Sequence, residues 1–197
     1  MDTFDKAIEF AIRAHSGSFR KGTDIPYIVH PMEVAAIVAT MTNDRDVMAG
    51  AVLHDVVEDT EYTIDDIRRE FGDKIADLVD SESENKRENL PPEQTWKIRK
   101  QETLEHLERA PIEAKMITLG DKLSNIRAIY RDYCAVGDRV WERFNQRDKN
   151  EHAWYYRGIA ERLGKLGETF AYQEYVELVG KVFGCQRYFK MSHSLLH

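Results

Sequence analysis

An almost purely apolar run, Val47-Met48-Ala49-Gly50-Ala51-Val52-Leu53, leads straight into His54, Asp55, Glu58 and Asp59. A helix with that lead-in is expected to be buried. Burying a histidine and three carboxylates is costly unless each has a partner. A divalent cation suits an imidazole nitrogen and acidic oxygens together. On a helix, residues three or four apart share a face. His54 and Glu58, Asp55 and Asp59, and Asp55 and Glu58 all have that spacing, so the four side chains can enter one cleft. The set has no thiolate, which argues against a structural zinc site. It suits manganese, iron or another divalent ion that keeps open positions. The alternative is a solvated helix end with a stray histidine.

Two further segments shift the balance. Tyr27-Ile28-Val29-His30-Pro31 puts a histidine directly before an apolar helix. Asp121 sits deep in a mostly apolar helical stretch, flanked by Leu119 and Leu123. Aspartate is disfavoured there both intrinsically and by burial, so it needs a metal or a basic partner. Gly120 beside it allows something to approach the backbone closely, at some cost to the helix.

The elements that must position these groups are helices. Phe4, Ala7, Ile8, Ala11 and Ile12 form a stripe at helical spacing, with Thr3 as a candidate cap. Residues 17–29 read as a loop. Pro31 takes the first position of the next helix. Asp44 or Asp46 starts the helix that carries the candidate ligands. Thr63-Ile64-Asp65-Asp66 resembles a cap with an acidic first turn, and Phe71-Gly72 ends that helix. Further helices are expected from Lys74 to about Asp80, from about Glu93 to Arg109, from Pro111 to Asp132, from about Val136, from Lys149 to Leu166 and from Tyr172 to Phe183. The polar stretch 81–92 reads as a surface loop. No segment of useful length has strand periodicity. The expectation is a single all-α domain over 1–185, with 186–197 as a tail that need not be ordered.

Composition narrows the partners. The chain has 197 residues, 28 Lys and Arg against 35 Asp and Glu, and a net charge of −7. An acidic chain lacks the basic footprint of a general nucleic-acid binder, yet a local basic patch with a metal can hold a small phosphorylated ligand. Cys134 and Cys185 match no zinc spacing and read as reduced thiols. The first residues are too acidic for a secretory signal, and no apolar run approaches the roughly 20 residues of a membrane span. The expected setting is soluble and cytoplasmic.

His30, then His54-Asp55, then Asp121 resemble the H…HD…D pattern of the HD superfamily of metal-dependent phosphohydrolases. The flanks Ala14-His15, Phe19-Arg20-Lys21-Gly22-Thr23, Pro26-Tyr27-Ile28-Val29-His30-Pro31, His54 to Thr60, Phe71-Gly72 and Gly120 to Arg127 are similar to the hydrolase half of RelA/SpoT proteins. The likeness runs from about residue 3 to residue 165 and leaves no room for a synthetase domain. It points to stand-alone small alarmone hydrolases of the metazoan SpoT-homologue type, and to an HD-domain helical bundle. There are departures. Gly120 stands where alanine is usual, and Ser124 where histidine or tyrosine is common; neither is expected to bind the metal. Ala128 replaces a threonine that contacts substrate in the long bifunctional enzymes. Residues 81–90 lack their threonine-lysine pattern.

The resemblance implies that His30, His54, Asp55 and Asp121 ligate one ion, most often Mn²⁺, with another divalent ion as the alternative. It implies removal of pyrophosphate from the 3′ position of (p)ppGpp to leave GDP or GTP. Glu58 and Asp59 exceed what one open ion needs, and are better used to orient or deprotonate the attacking water, with Glu58 nearer to it. Arg20 and Lys21 are candidates for stacking on the base and clamping phosphate. Asn125, one turn beyond Asp121, is a candidate donor to ribose or phosphate. Lys86, Arg87, Lys97 and Lys100 form a basic cluster that could hold distal phosphates. Tyr155 is a candidate on the ligand side, while His15 and His152 read as structural. Two other functions remain open: an HD-type phosphatase acting on another nucleotide such as NADPH, and a non-catalytic alarmone-binding sensor.

Overall fold

A computed structural model of the chain describes residues 2–83, 87 and 89–184. Lys86, Cys185 and the tail 186–197 lie outside the described residues. Ten α-helices follow one another within that range: α1 (Thr3–Ala14), α2 (Val29–Val38), α3 (Arg45–Leu53), α4 (Val56–Asp59), α5 (Ile64–Phe71), α6 (Asp73–Glu82), α7 (Pro92–Arg109), α8 (Ile112–Val136), α9 (Lys149–Arg162) and α10 (Phe170–Phe183). Short 3₁₀ turns cover Gly137–Arg143 and Gly164–Leu166. The described residues hold no strand, only an isolated antiparallel bridge between Phe19 and Pro26. The all-α reading holds. No described helix is long and apolar enough to cross a membrane.

Several local expectations hold in detail. Asp44 caps α3 by accepting from the Asp46 amide at 2.9 Å. Thr63 and Asp66 form a reciprocal capping box on α5. Gly72, at φ +86°, makes the abrupt joint between α5 and α6, where a side chain would be strained. Others need correction. Asp2, not Thr3, stands at the N-cap of α1, and its side chain makes no capping bond. The helix α2 begins at Val29, so Pro31 is its third residue and His30 lies inside the first turn rather than before it. Proline still fits, because the first-turn amides have no intrahelical acceptor. Ser81 and Glu82 belong to α6 and not to the polar loop. The helix expected from about Val136 is the 3₁₀ turn, since α8 runs through to Val136 itself.

The helix α8, 25 residues long, is the axis of the fold. It packs on α2, α3 and α6 along one side and on α10 along the other. Its first turns send Ala114 and Ile117 into an N-terminal core with Phe10, Val34, Val52, Leu53, Ile67 and Ile75. Leu119, Leu123, Ile126 and Ile129 enter a C-terminal core with Trp96, Leu104, Trp141, Tyr156 and Tyr175. Asp121 therefore lies at the seam of two apolar clusters. Gly120 lets the seam close: a Cβ there would sit 3.0 Å from Val38 Cγ2 and 3.1 Å from the Val34 carbonyl oxygen of α2. The missing methyl brings α2, with His30, against α8, with Asp121.

Candidate metal centre and active site

The helix expected to carry His54 to Asp59 is broken. The helix α3 stops at Leu53, His54 and Asp55 form a turn, and α4 starts at Val56. Asp55 takes φ −94° and ψ −3°, a sparsely populated backbone region common at functional sites. The break leaves the expected convergence intact, because His54, Asp55, Glu58 and Asp59 all line one cavity of about 410 Å³ together with His30 and Asp121.

Three separate elements supply the central atoms: α2 gives His30, the α3–α4 turn gives His54 and Asp55, and α8 gives Asp121. His30 Nε2 lies 3.4 Å from Asp55 Oδ2 and 3.2 Å from Asp121 Oδ1. His54 Nε2 lies 3.1 Å from Asp55 Oδ2 and 3.9 Å from Asp121 Oδ1. Donors held at about 2.0–2.2 Å from a shared ion lie about 3–3.5 Å from one another, which is close to this spacing. The nitrogen and oxygen atoms of His30, His54 and Asp121 all fall within 4.8 Å of each other.

The protons on the two imidazoles follow from their other neighbours. His54 Nδ1 lies 2.8 Å from the Ala51 carbonyl oxygen, which can only accept, so Nδ1 carries the hydrogen. A neutral His54 then offers an Nε2 lone pair. That nitrogen is buried and makes no aligned hydrogen bond. A buried nitrogen without a hydrogen-bond partner, facing two carboxylates, is the signature of a cation position. The donor set thus fits a divalent ion. Without one, protons take over part of its role. Burial alone would favour neutral His54, but the carboxylates of Asp55 and Asp121 outweigh it and push its pKa up to about 10.

The carboxylates respond in the opposite sense. Burial would raise Asp55, yet His54 and His30 hold it well below the usual range. Asp121 is lowered despite burial by Lys122, His30 and His54. The basic partner considered for a buried Asp121 is therefore present as well: Lys122 pairs with its Oδ2, while Oδ1 faces the histidines. Tyr27 donates to Asp55 Oδ2 at 2.6 Å and fixes that carboxylate's orientation. Burial and the nearby Asp55 and Asp59 raise the Tyr27 pKa, keeping the phenol a donor. At Glu82 burial outweighs the pull of Lys122 and His54. The carboxylate accepts from Thr118 at 2.6 Å, but desolvation pushes it up to about 7.

The other expected residues fall into two groups. Arg20 and Asn125 line the first cavity and also a second one of about 660 Å³ beside it, which Lys21 and Tyr155 line too. Arg20 donates to Asn125 Oδ1 at 2.9 Å and lies over the Tyr27 ring at 5.7 Å. Asn125 in turn donates to Asp121 Oδ1, so it shares the face of Asp121 as its spacing implies. Tyr155 is buried with its hydroxyl unbonded. In the basic cluster, Arg87 forms a bidentate pair with Glu102, and Lys97 pairs with Glu151 and covers the Trp154 ring. Lys100 lines both cavities. Lys86 lies outside the described residues. Sequence reasoning missed Lys122, Glu82, Glu33 and the bonding roles of Tyr27 and Ser124. Spacing held a signal for two of them: Glu33 is three residues after His30, and Ser124 three after Asp121.

With the geometry in view, similarity to known proteins becomes informative. The family model described as HD domain matches residues 7–164. The human guanosine-3′,5′-bis(diphosphate) 3′-pyrophosphohydrolase MESH1 is 36% identical over 129 residues, covering 64% of this chain and 69% of that protein. The Haemophilus influenzae guanosine-3′,5′-bis(diphosphate) 3′-pyrophosphohydrolase is 34% identical over 116 residues, covering 59% of this chain and 17% of that one. The chain spans less than a fifth of the length of the first curated relatives it matches. The crystal structure of lmo0812 from Listeria monocytogenes EGD-e superposes with a TM-score of 0.69 at 34% identity, covering 79% of this chain and 99% of that one. The match over residues 7–164 takes in His30, His54, Asp55 and Asp121, and the chain belongs to the HD domain family.

Proposed function

We propose that this chain hydrolyses the 3′-pyrophosphate of (p)ppGpp in a divalent-metal-dependent reaction that yields GDP or GTP and pyrophosphate. The observation that carries the reading is the meeting of His30, His54, Asp55 and Asp121 in the cavity that also holds Glu58 and Asp59. The activity named for MESH1 supports the substrate.

In this reading His30, His54, Asp55 and Asp121 hold one ion, with Mn²⁺ the proposed species. Bound there, a divalent cation supplies Lewis acidity, easing deprotonation of water and neutralising charge on phosphoryl oxygens. Glu58 orients the attacking water and takes its proton, with Asp59 in support. A general base of this kind contributes about 10²–10⁴-fold. Water adds to the phosphorus next to the ribose 3′ oxygen, the bond to that oxygen breaks, and the proton taken up by Glu58 passes, directly or through water, to the leaving oxygen. Arg20, Lys21, Asn125 and Tyr155 flank the nucleotide in the adjoining cavity, and Lys86 is assigned to the distal phosphates. Such a substrate is a small nucleotide and not a nucleic-acid polymer, and it implies a cytoplasmic setting.

Ala128 lines the second cavity, where a threonine side chain is expected in the long enzymes, so base recognition there has fewer polar contacts. NADPH therefore belongs in the substrate panel. Purified full-length chain is incubated with Mn²⁺ and either ppGpp or NADPH, and products are identified. The expected result is pyrophosphate and GDP in equal amounts from ppGpp, abolished by a chelator. Orthophosphate from NADPH with ppGpp untouched, or tight ppGpp binding by metal-loaded protein without turnover, would overturn the proposal.

A further inference from the structure

Behind His30 runs a chain of polar groups whose direction is forced at every step. His30 and Ser124 are both buried, at 3% and 2% exposure. His30 Nδ1 lies 2.8 Å from Ser124 Oγ, and Ser124 Oγ donates to Glu33 Oε2 at 2.7 Å. Glu33 Oε1 accepts from Arg127 at 2.9 Å. Arg127 also grips Glu174 of α10 through two bonds of 2.7 and 2.6 Å. An arginine is always a donor, and an ionised carboxylate only accepts. Glu33, held by Arg127, must then receive the single hydroxyl hydrogen of Ser124. Ser124 Oγ is left as an acceptor, so His30 Nδ1 must carry a hydrogen.

We infer that Ser124 and Glu33 are positioning residues for His30. They fix the hydrogen on Nδ1 and hold the ring so that its Nε2 lone pair faces Asp55 and Asp121. His54 gets the same service from the backbone, through the Ala51 carbonyl. The two ligand histidines are thus set by different means, and only that of His30 can be removed by changing side chains. Metal-binding histidines depend on such outer partners for orientation and basicity. Through Arg127 and Glu174 the relay also ties the last described helix, α10, to the metal position.

The inference rests on the metal-centre reading, and its test separates the two. The Nδ1 hydrogen of His30 is read by ¹⁵N–¹H NMR of the chain labelled in histidine and loaded with diamagnetic Zn²⁺. Mn²⁺ affinity is read by chelator competition. In the wild type, His30 should show a slowly exchanging Nδ1–H. Ser124→Ala should speed its exchange with water and weaken Mn²⁺ binding by about 10–100-fold. Ser124→Thr, which keeps the hydroxyl, should restore both. Glu33→Ala, at a half-exposed position, should shift both readouts in the same direction. A Ser124→Ala protein with wild-type exchange and wild-type Mn²⁺ affinity would overturn the inference. A wild type that takes up no metal defeats the metal reading, while a wild type that binds Mn²⁺ no better than Ser124→Ala defeats the relay alone.

Discussion

Two buried histidines, His54 and His152, sit in opposite electrostatic worlds. Both are nearly inaccessible, at 2% and 5% exposure. His152 stands in an aromatic box, stacked on Trp141 at 4.9 Å and edge-on to Trp96 at 5.4 Å. One ring nitrogen meets the Gln146 carbonyl at 2.9 Å. Burial prevails there and lowers its pKa. At His54 the same burial is overridden by two carboxylates, and the pKa rises. His15 shares the lowered pKa of His152 but not its bond: neither of its ring nitrogens has a hydrogen-bond partner, and burial outweighs the pull of Asp55 and Asp59. Burial by itself makes a histidine neutral and inert. A functional histidine is one whose buried lone pair is aimed at convergent acids.

The comparison is broken most directly by removing a central ligand. His54→Ala should lose both bound metal and pyrophosphate release, whereas Glu58→Ala should keep the metal and lose about 10²–10⁴ in rate. Metal content and turnover measured on the same preparations check this pair. Equal turnover in wild type and both variants would contradict the separation of ligand from base. A smaller effect distinguishes the inert histidines. Their folded-state pKa values lie below the ordinary 6.5. Their stabilising contribution is therefore complete above that value, and it falls as pH drops through it, because the unfolded chain takes up protons first. In chelator, the urea midpoint of the wild type relative to His152→Phe should fall between about pH 7.5 and about pH 5.5. The opposite contributions of His54 and Glu82, whose raised values make stability grow as pH drops, are common to both proteins and cancel in that difference. An unchanged pH dependence would show that His152 is not the buried neutral group described here.

Much of the site was legible because its residues offend against local rules. Asp121 within an apolar helix and four polar groups after an apolar run are both conspicuous, and both lead to the centre. The helix pattern was legible for a related reason, since the apolar spacing of α1, α2 and α8 is strong. What escaped depends on tertiary approach. The three-residue spacing puts Glu33 on the face of His30 and Ser124 on the face of Asp121, but only α2 crossing α8 beside Gly120 turns that spacing into a bonded chain. The break after Leu53 was equally hidden, for helical spacing and a turn followed by α4 bring the same side chains together. The basic partner of Asp121 was left open, and only the packing shows it to be the partly buried Lys122.

The central claim is that His30, His54, Asp55 and Asp121 surround one cation. It is tested by elemental analysis of the purified chain together with anomalous diffraction at the manganese edge from crystals grown with Mn²⁺. One ion per chain, contacted by all four side chains, is the expected result. Crystals whose four side chains pair only with one another or with Lys122 and Tyr27, in a protein carrying no stoichiometric metal, would contradict it.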